Sequence, residues 1–127
     1  MLVELCHVTR IGYFEGSPSL LLAKLSAEGM ETVPISNAGD GHGRYVNHLQ
    51  KGEVDVVIGY LHKVMATDGM HVKPSDILHA CMIHNIPVIL MVPAGVIEKA
   101  RRQLGEVGPN VTVVAPEEVE TEIRKHT

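Results

Sequence analysis

A chain of 127 residues, 45% apolar and 20% charged, is sized for one domain that buries about two-thirds of its unfolded surface without staples. Its net charge of −4 and its aromatic content of 3%, with no Trp, exclude the basic, ring-rich surface that nucleic acids and anionic membranes require.

The chain opens on Met1-Leu2-Val3-Glu4, which lacks the cationic start and apolar core of a signal peptide, and no apolar run is long enough to span a bilayer. The expected location is therefore the cytoplasm. Residues 2–8 read as a first strand. The loop after it carries Arg10, Gly12, Tyr13, Glu15 and Gly16. Ser17 is a good N-cap and Pro18 a good first helical residue, because the missing N–H would have no partner there. Leu21, Leu22 and Leu25 form the inner stripe of that helix, and Gly29 ends it. Residues 31–36 are a second strand, in which Pro34 points to an edge position. A Gly-rich turn over 37–43 leads to a second helix over 44–51, ended by Gly52.

Residues 54–60 and 86–93 are nearly continuous apolar runs. A His-rich loop over 61–73 and a helix over 74–85 join them, as expected for parallel strands buried on both faces. A helix over 94–104 follows, with Lys99, Arg101 and Arg102 toward its carboxyl end, where the dipole favours cations. Residues 110–115 are the fifth strand. Pro116 opens the next helix, with Glu117 and Glu118 in its first turn and Arg124 and Lys125 in its last. Cys6 and Cys81 are too few for a disulfide framework and read as buried, reduced thiols in a strand and a helix.

Five βα units in one domain (residues 1–127) predict an α/β fold of three layers. Its centre is a doubly wound, five-stranded parallel sheet in the flavodoxin-like, Rossmann-like order 2-1-3-4-5. Glu4 is at odds with this order, being a charge in the strand placed at the centre; it is tolerable near that strand's start. In such sheets ligands sit at the carboxyl ends of the strands.

Three loops on that rim carry candidate chemistry. Gly16-Ser17-Pro18-Ser19 opens a helix whose free N–H groups, hydroxyls and dipole suit a phosphate or carboxylate, with Arg10 as a bidentate partner. Glu15 opposes this, and plain helix capping by Ser17 is the alternative. The glycine spacing matches neither a P-loop nor a dinucleotide fingerprint, so no nucleotide cofactor is indicated. Asn37-Ala38-Gly39-Asp40-Gly41-His42-Gly43 places three glycines in five positions, which lets the backbone approach a ligand closely. Asp40 and His42 there form an acid/base pair; the alternative is a cap and a solvated ring. It does not complete the Asp-x-His-x-x-Gly signature of cobalamin-binding domains, because position 45 is Tyr. The loop over 61–73 is longer than usual for a βα connection. It adds His62 and His71, with Met65 and Met70 to line the apolar part of a ligand. His42, His62 and His71, with Asp40, also make a candidate divalent-metal site; their linear spacing fits no standard motif.

Residues 36–90 resemble the methylglyoxal synthase-like phosphate-binding domains. The likeness rests on Ala38-Gly39-Asp40, on residues 49–58 and on Asn85-Ile86-Pro87-Val88, with Gly16-Ser17-Pro18-Ser19 near the position of that family's phosphate loop. The resemblance implies a phosphorylated small molecule as ligand and Asp40 as catalytic base. The family's acid after the strand is replaced by His62-Lys63, and its His-x-x-Asp pair is not reproduced around His71.

The expectation is a small protein that holds an anionic, phosphorylated molecule at the carboxyl edge. Arg10, Gly16, Ser17 and Ser19 would hold the anion. Asp40, His42, His62 and His71 would contact the polar body and, in an enzyme, carry lyase- or isomerase-type proton transfer. A non-catalytic accessory subunit of a homo-oligomer and a histidine-based metal protein are the alternatives.

Overall fold

In the computed structural model the described residues are 8–37, 43–65, 77–104 and 109–126. The backbone pairs as one parallel sheet of six strands: β1 (Arg10–Tyr13), β2 (Glu31–Ser36), β3 (Arg44–Tyr45), β4 (Val56–Tyr60), β5 (Val88–Met91) and β6 (Val111–Val114). Their order is β3-β2-β1-β4-β5-β6. The α/β class is as expected, but the sheet has six strands and not five.

Four α-helices lie among the described residues: α1 (Ser19–Ala27), α2 (His79–Ile83), α3 (Ile97–Leu104) and α4 (Val119–Arg124). Alternation along the strands sends side chains to two cores. Val57, Val88, Leu90 and Val113 face one core, closed by Leu78 just before α2, by Cys81 of α2 and by Ala100 and Leu104 of α3. Ile11, Val56, Ile58, Ile89, Met91 and Val114 face the other, closed by Leu25 of α1 and by Val119 and Ile123 of α4. The reason is topological. The chain moves outward from β1 through β2 to β3, then outward the opposite way from β4 to β6. Crossovers of constant hand therefore lie on opposite faces of the two halves. Strand order reverses between β1 and β4, which makes that junction the switch point where sheets of this kind leave a crevice.

Two stretches differ from expectation, residues 10–13 and residues 44–51. Of the strand expected over 2–8 only Val8 is described, and Glu4 lies outside the described residues; Arg10–Tyr13, expected as loop, is a strand paired with β2 throughout and with β4 over Ile11–Tyr13. A two-way backbone clasp registers its start: Arg10 N–H donates to Asp55 Oδ2 (2.8 Å), and Asp55 N–H to Arg10 O (2.8 Å). Residues 44–51 do not form a helix. They give the edge strand β3 and a 3-10 turn, Val46–His48; Asn47 in that turn accepts from Ala80 N–H of α2 at Oδ1 (3.0 Å). α2 lies within the helix expected over 74–85, of which residues 74–76 lie outside the described residues. Pro34 lies where β2 has a partner on one side only, since β3 begins opposite Ile35.

Phe14, the chain's single Phe, follows β1 and is completely buried. Its N–H donates to Ile58 O (3.0 Å), and its ring lies over Gly59 of β4, where a Cβ would stand 2.6 Å from Cδ2. A side chain at position 59 would thus occupy the space of the ring. This contact forms the floor of the switch point.

Candidate functional site

Above that floor the carboxyl ends of β1, β2 and β4 meet. Behind Phe14 the chain turns through Gly16, which takes φ +88°, a conformation costly for any residue with a Cβ. Ser17 closes the turn by giving both its N–H (3.2 Å) and its hydroxyl (2.7 Å) to Phe14 O. The hydroxyl is therefore committed inward. The N-cap of α1 is Pro18 rather than Ser17, and no side chain caps the helix. Ser19 is its exposed first residue.

From the other side, β4 runs into a 3-10 turn, Leu61–Lys63. His62 is exposed there and stacks on Tyr60, with ring centroids 6.1 Å apart and planes 21° apart. The Lys63 side chain is only 15% exposed; it crosses the crevice so that Nζ lies 3.2 Å from Glu15 Oε1 on the β1–α1 loop. Asn37, just past β2, donates from Nδ2 to Lys63 O (2.8 Å). The cation is thus carried on a turn anchored from two neighbouring strands. Glu15, which reads in sequence only as an obstacle to an anion, is its counter-ion and is half exposed.

The structure brings Gly16, Ser17 and Ser19 to this rim together with His62. It does not bring Arg10. As the first residue of β1, Arg10 stands at the amino edge of the sheet, one strand length away, and its Nε pairs with Glu31 Oε2 at 3.2 Å. The expected bidentate role has no support because the strand starts at Arg10, which places the residue at the beginning of β1 and not after its end. Asp40, His42 and His71 lie outside the described residues, and with them most of the acid/base set and two of the three metal histidines. Among the described residues no three His, Cys, Asp or Glu side chains group to hold a metal ion.

Sequence reasoning missed Lys63 and Asn37 as site residues. The available signal was position: Lys63 falls three residues past a buried parallel strand, on the rim where ligands are held. Cys81 is wholly buried, and desolvation pushes its thiol up to about 12, so it is no nucleophile at neutral pH. No described helix is long and apolar enough to cross a membrane. Comparison with known proteins finds no matching family model, no matching curated protein and no matching solved structure.

Proposed function

We propose that the switch point between β1 and β4 binds the anionic group of a small molecule, a phosphorylated one being the class that fits best. The observation that carries this reading is Lys63, a mostly buried cation held across the crevice by a more exposed carboxylate. An entering anion takes the place of Glu15, which swings to water, and meets Lys63 and the uncapped first turn of α1. Gly16 lets the backbone approach it closely. Ser17 acts as a positioning residue, since its proton is held by Phe14 O. Proton transfer of the lyase or isomerase kind would fall to His62 and, outside the described residues, to Asp40, His42 and His71.

The test is thermal unfolding with inorganic phosphate and with triose and sugar phosphates. A ligand at a hundred times its Kd adds about 2.7 kcal/mol. The expected result is stabilisation by a phosphorylated compound that is lost in Lys63→Ala. Absence of any shift up to about 10 mM, or an undiminished shift in Lys63→Ala, overturns the reading. The accessory-subunit alternative gains nothing from Leu20 and Ile83, the most exposed large apolar side chains described. They stand on α1 and α2, which cover opposite faces of the sheet.

A further inference from the structure

A second concavity lies beyond the switch point, where β4 and β5 end beneath α3. Leu61 and Val92 continue these two strands, and Val96, Lys99, Ala100 and Gln103 line the opposite wall. Positions 96, 99, 100 and 103 recur at the spacing that puts side chains on one face of a helix. Leu61, Val92 and Ala100 are buried, so the floor is a fixed extension of the core. The volume is about 190 Å³. A dry cavity of about 150 Å³ accepts benzene, so roughly six to nine non-hydrogen atoms fit here.

The polar atoms are few and placed together. Lys99 and Gln103 are four residues apart, and their side chains have no hydrogen bond or ion pair among the described residues. Arg101, their neighbour on α3, is already held by Glu98 at 2.8 Å. One cation and one amide beside an apolar floor do not suit a phosphate dianion, which has no apolar body and needs several donors. They suit a carboxylate, which accepts two parallel hydrogen bonds and carries a single charge.

We infer that this cleft binds a small apolar carboxylate, its charge on Lys99 and Gln103 and its body on Leu61, Val92, Val96 and Ala100. The site is separate in residues from the one at Lys63 and stands without it. Its test is a methyl NMR titration of the intact protein with hexanoate and benzoate, and with hexanol and benzyl alcohol as neutral counterparts. Saturable shifts are expected in the methyls of Leu61, Val92, Val96 and Ala100 and not in those of Leu20 or Ile83. A charge-assisted contact predicts that the alcohols bind about tenfold more weakly. Lys99→Gln then brings the carboxylates down to the level of the alcohols, and Lys63→Ala leaves the shifts unchanged. No saturable shift up to about 10 mM, or carboxylate binding indifferent to Lys99→Gln, overturns the inference. Because phosphate stabilisation is read in Lys63→Ala and carboxylate shifts in Lys99→Gln, the two proposals fail independently.

Discussion

Gly59→Ala tests the packing beneath the switch point. The added methyl would stand 2.6 Å from Phe14 Cδ2, 2.9 Å from Cβ and 3.2 Å from Cγ. Real side-chain contacts begin near 3.5 Å, so the ring must retreat by most of an ångström. It has nowhere to go, because Phe14 is fully buried and its N–H is fixed to Ile58 O. Overpacking of this kind costs about 1–3 kcal/mol, and three close atoms at one site place this case toward the upper end. Phe14→Leu alone removes ring volume and costs a comparable amount through lost burial and a residual cavity. In the double variant the methyl fills part of the space the ring vacates. The two costs then fail to add, with a coupling of about 1 kcal/mol or more, in the range found for residues in contact. Urea unfolding of the four proteins measures this directly, given an unchanged m-value. A Gly59→Ala protein within about 0.5 kcal/mol of wild type, or strictly additive single variants, would refute the steric account.

Other consequences can be checked in the same protein. Asn110 Nδ2 donates to Ile86 O (2.6 Å) and Cys81 O (3.2 Å); Asn110→Ala removes the donor to Ile86 O, while Cys81 O keeps the Ile86 N–H (2.8 Å), and a loss of about 1–3 kcal/mol in chemical denaturation is expected. Arg124 makes a two-pronged pair with Glu28 (3.0 Å on each prong) and also binds Glu120, which Lys24 holds as well. The Arg124 hydrogen bond lowers the Glu28 carboxyl, and those from Lys24 and Arg124 lower that of Glu120. A carboxyl lowered in the folded state contributes stability that is present above its ordinary value of 4.5 and is lost as pH falls through the folded value. The Tm gap between wild type and Arg124→Ala should therefore be open at neutral pH, narrow as the pH drops below that value, and shrink with added salt. A gap independent of pH would refute the account. With its thiol at about 12, Cys81 should resist iodoacetamide at pH 8 in the folded protein and react in urea, as read by peptide mapping; equal labelling in both states would refute its burial.

How far the sequence could be read depends on where the deciding contacts lie. β2 spans residues 31–36 as expected, and β5 and β6 fall inside the expected runs, because β-branched stretches bounded by turns carry their own signal. β1 carries none. Arg10-Ile11-Gly12-Tyr13 contains a charge and a glycine, and it is a strand because β2 and β4 pair with it from both sides. With Arg10–Tyr13 a strand and not a loop, Arg10 stands at the amino edge of the sheet and not on its carboxyl rim. β3 is two residues long, too short for any periodicity to register. Lys63 reads as an ordinary loop lysine; its burial exists only once β1 and β4 lie side by side. Gly16, Ser17 and Ser19 could be placed because a turn before a helix is a local feature. Ser17's inward hydrogen bond could not, since it depends on the path of the loop behind Phe14.

The pairing of Arg124 with Glu28 and of Lys24 with Glu120 joins two helices 96 residues apart in the chain. Val119 and Ile123 of α4 close the same apolar face that Leu25 of α1 begins to cover. A ribosome adds about 5–20 residues per second, so Ile11, Ile58 and Ile89 are synthesised seconds before the helix that shields them. Through that interval α1 is the only described helix on that face of the sheet, while α2 and α3 already stand on the other. The share of the burial that Val119 and Ile123 provide therefore comes last in order of synthesis among the described elements.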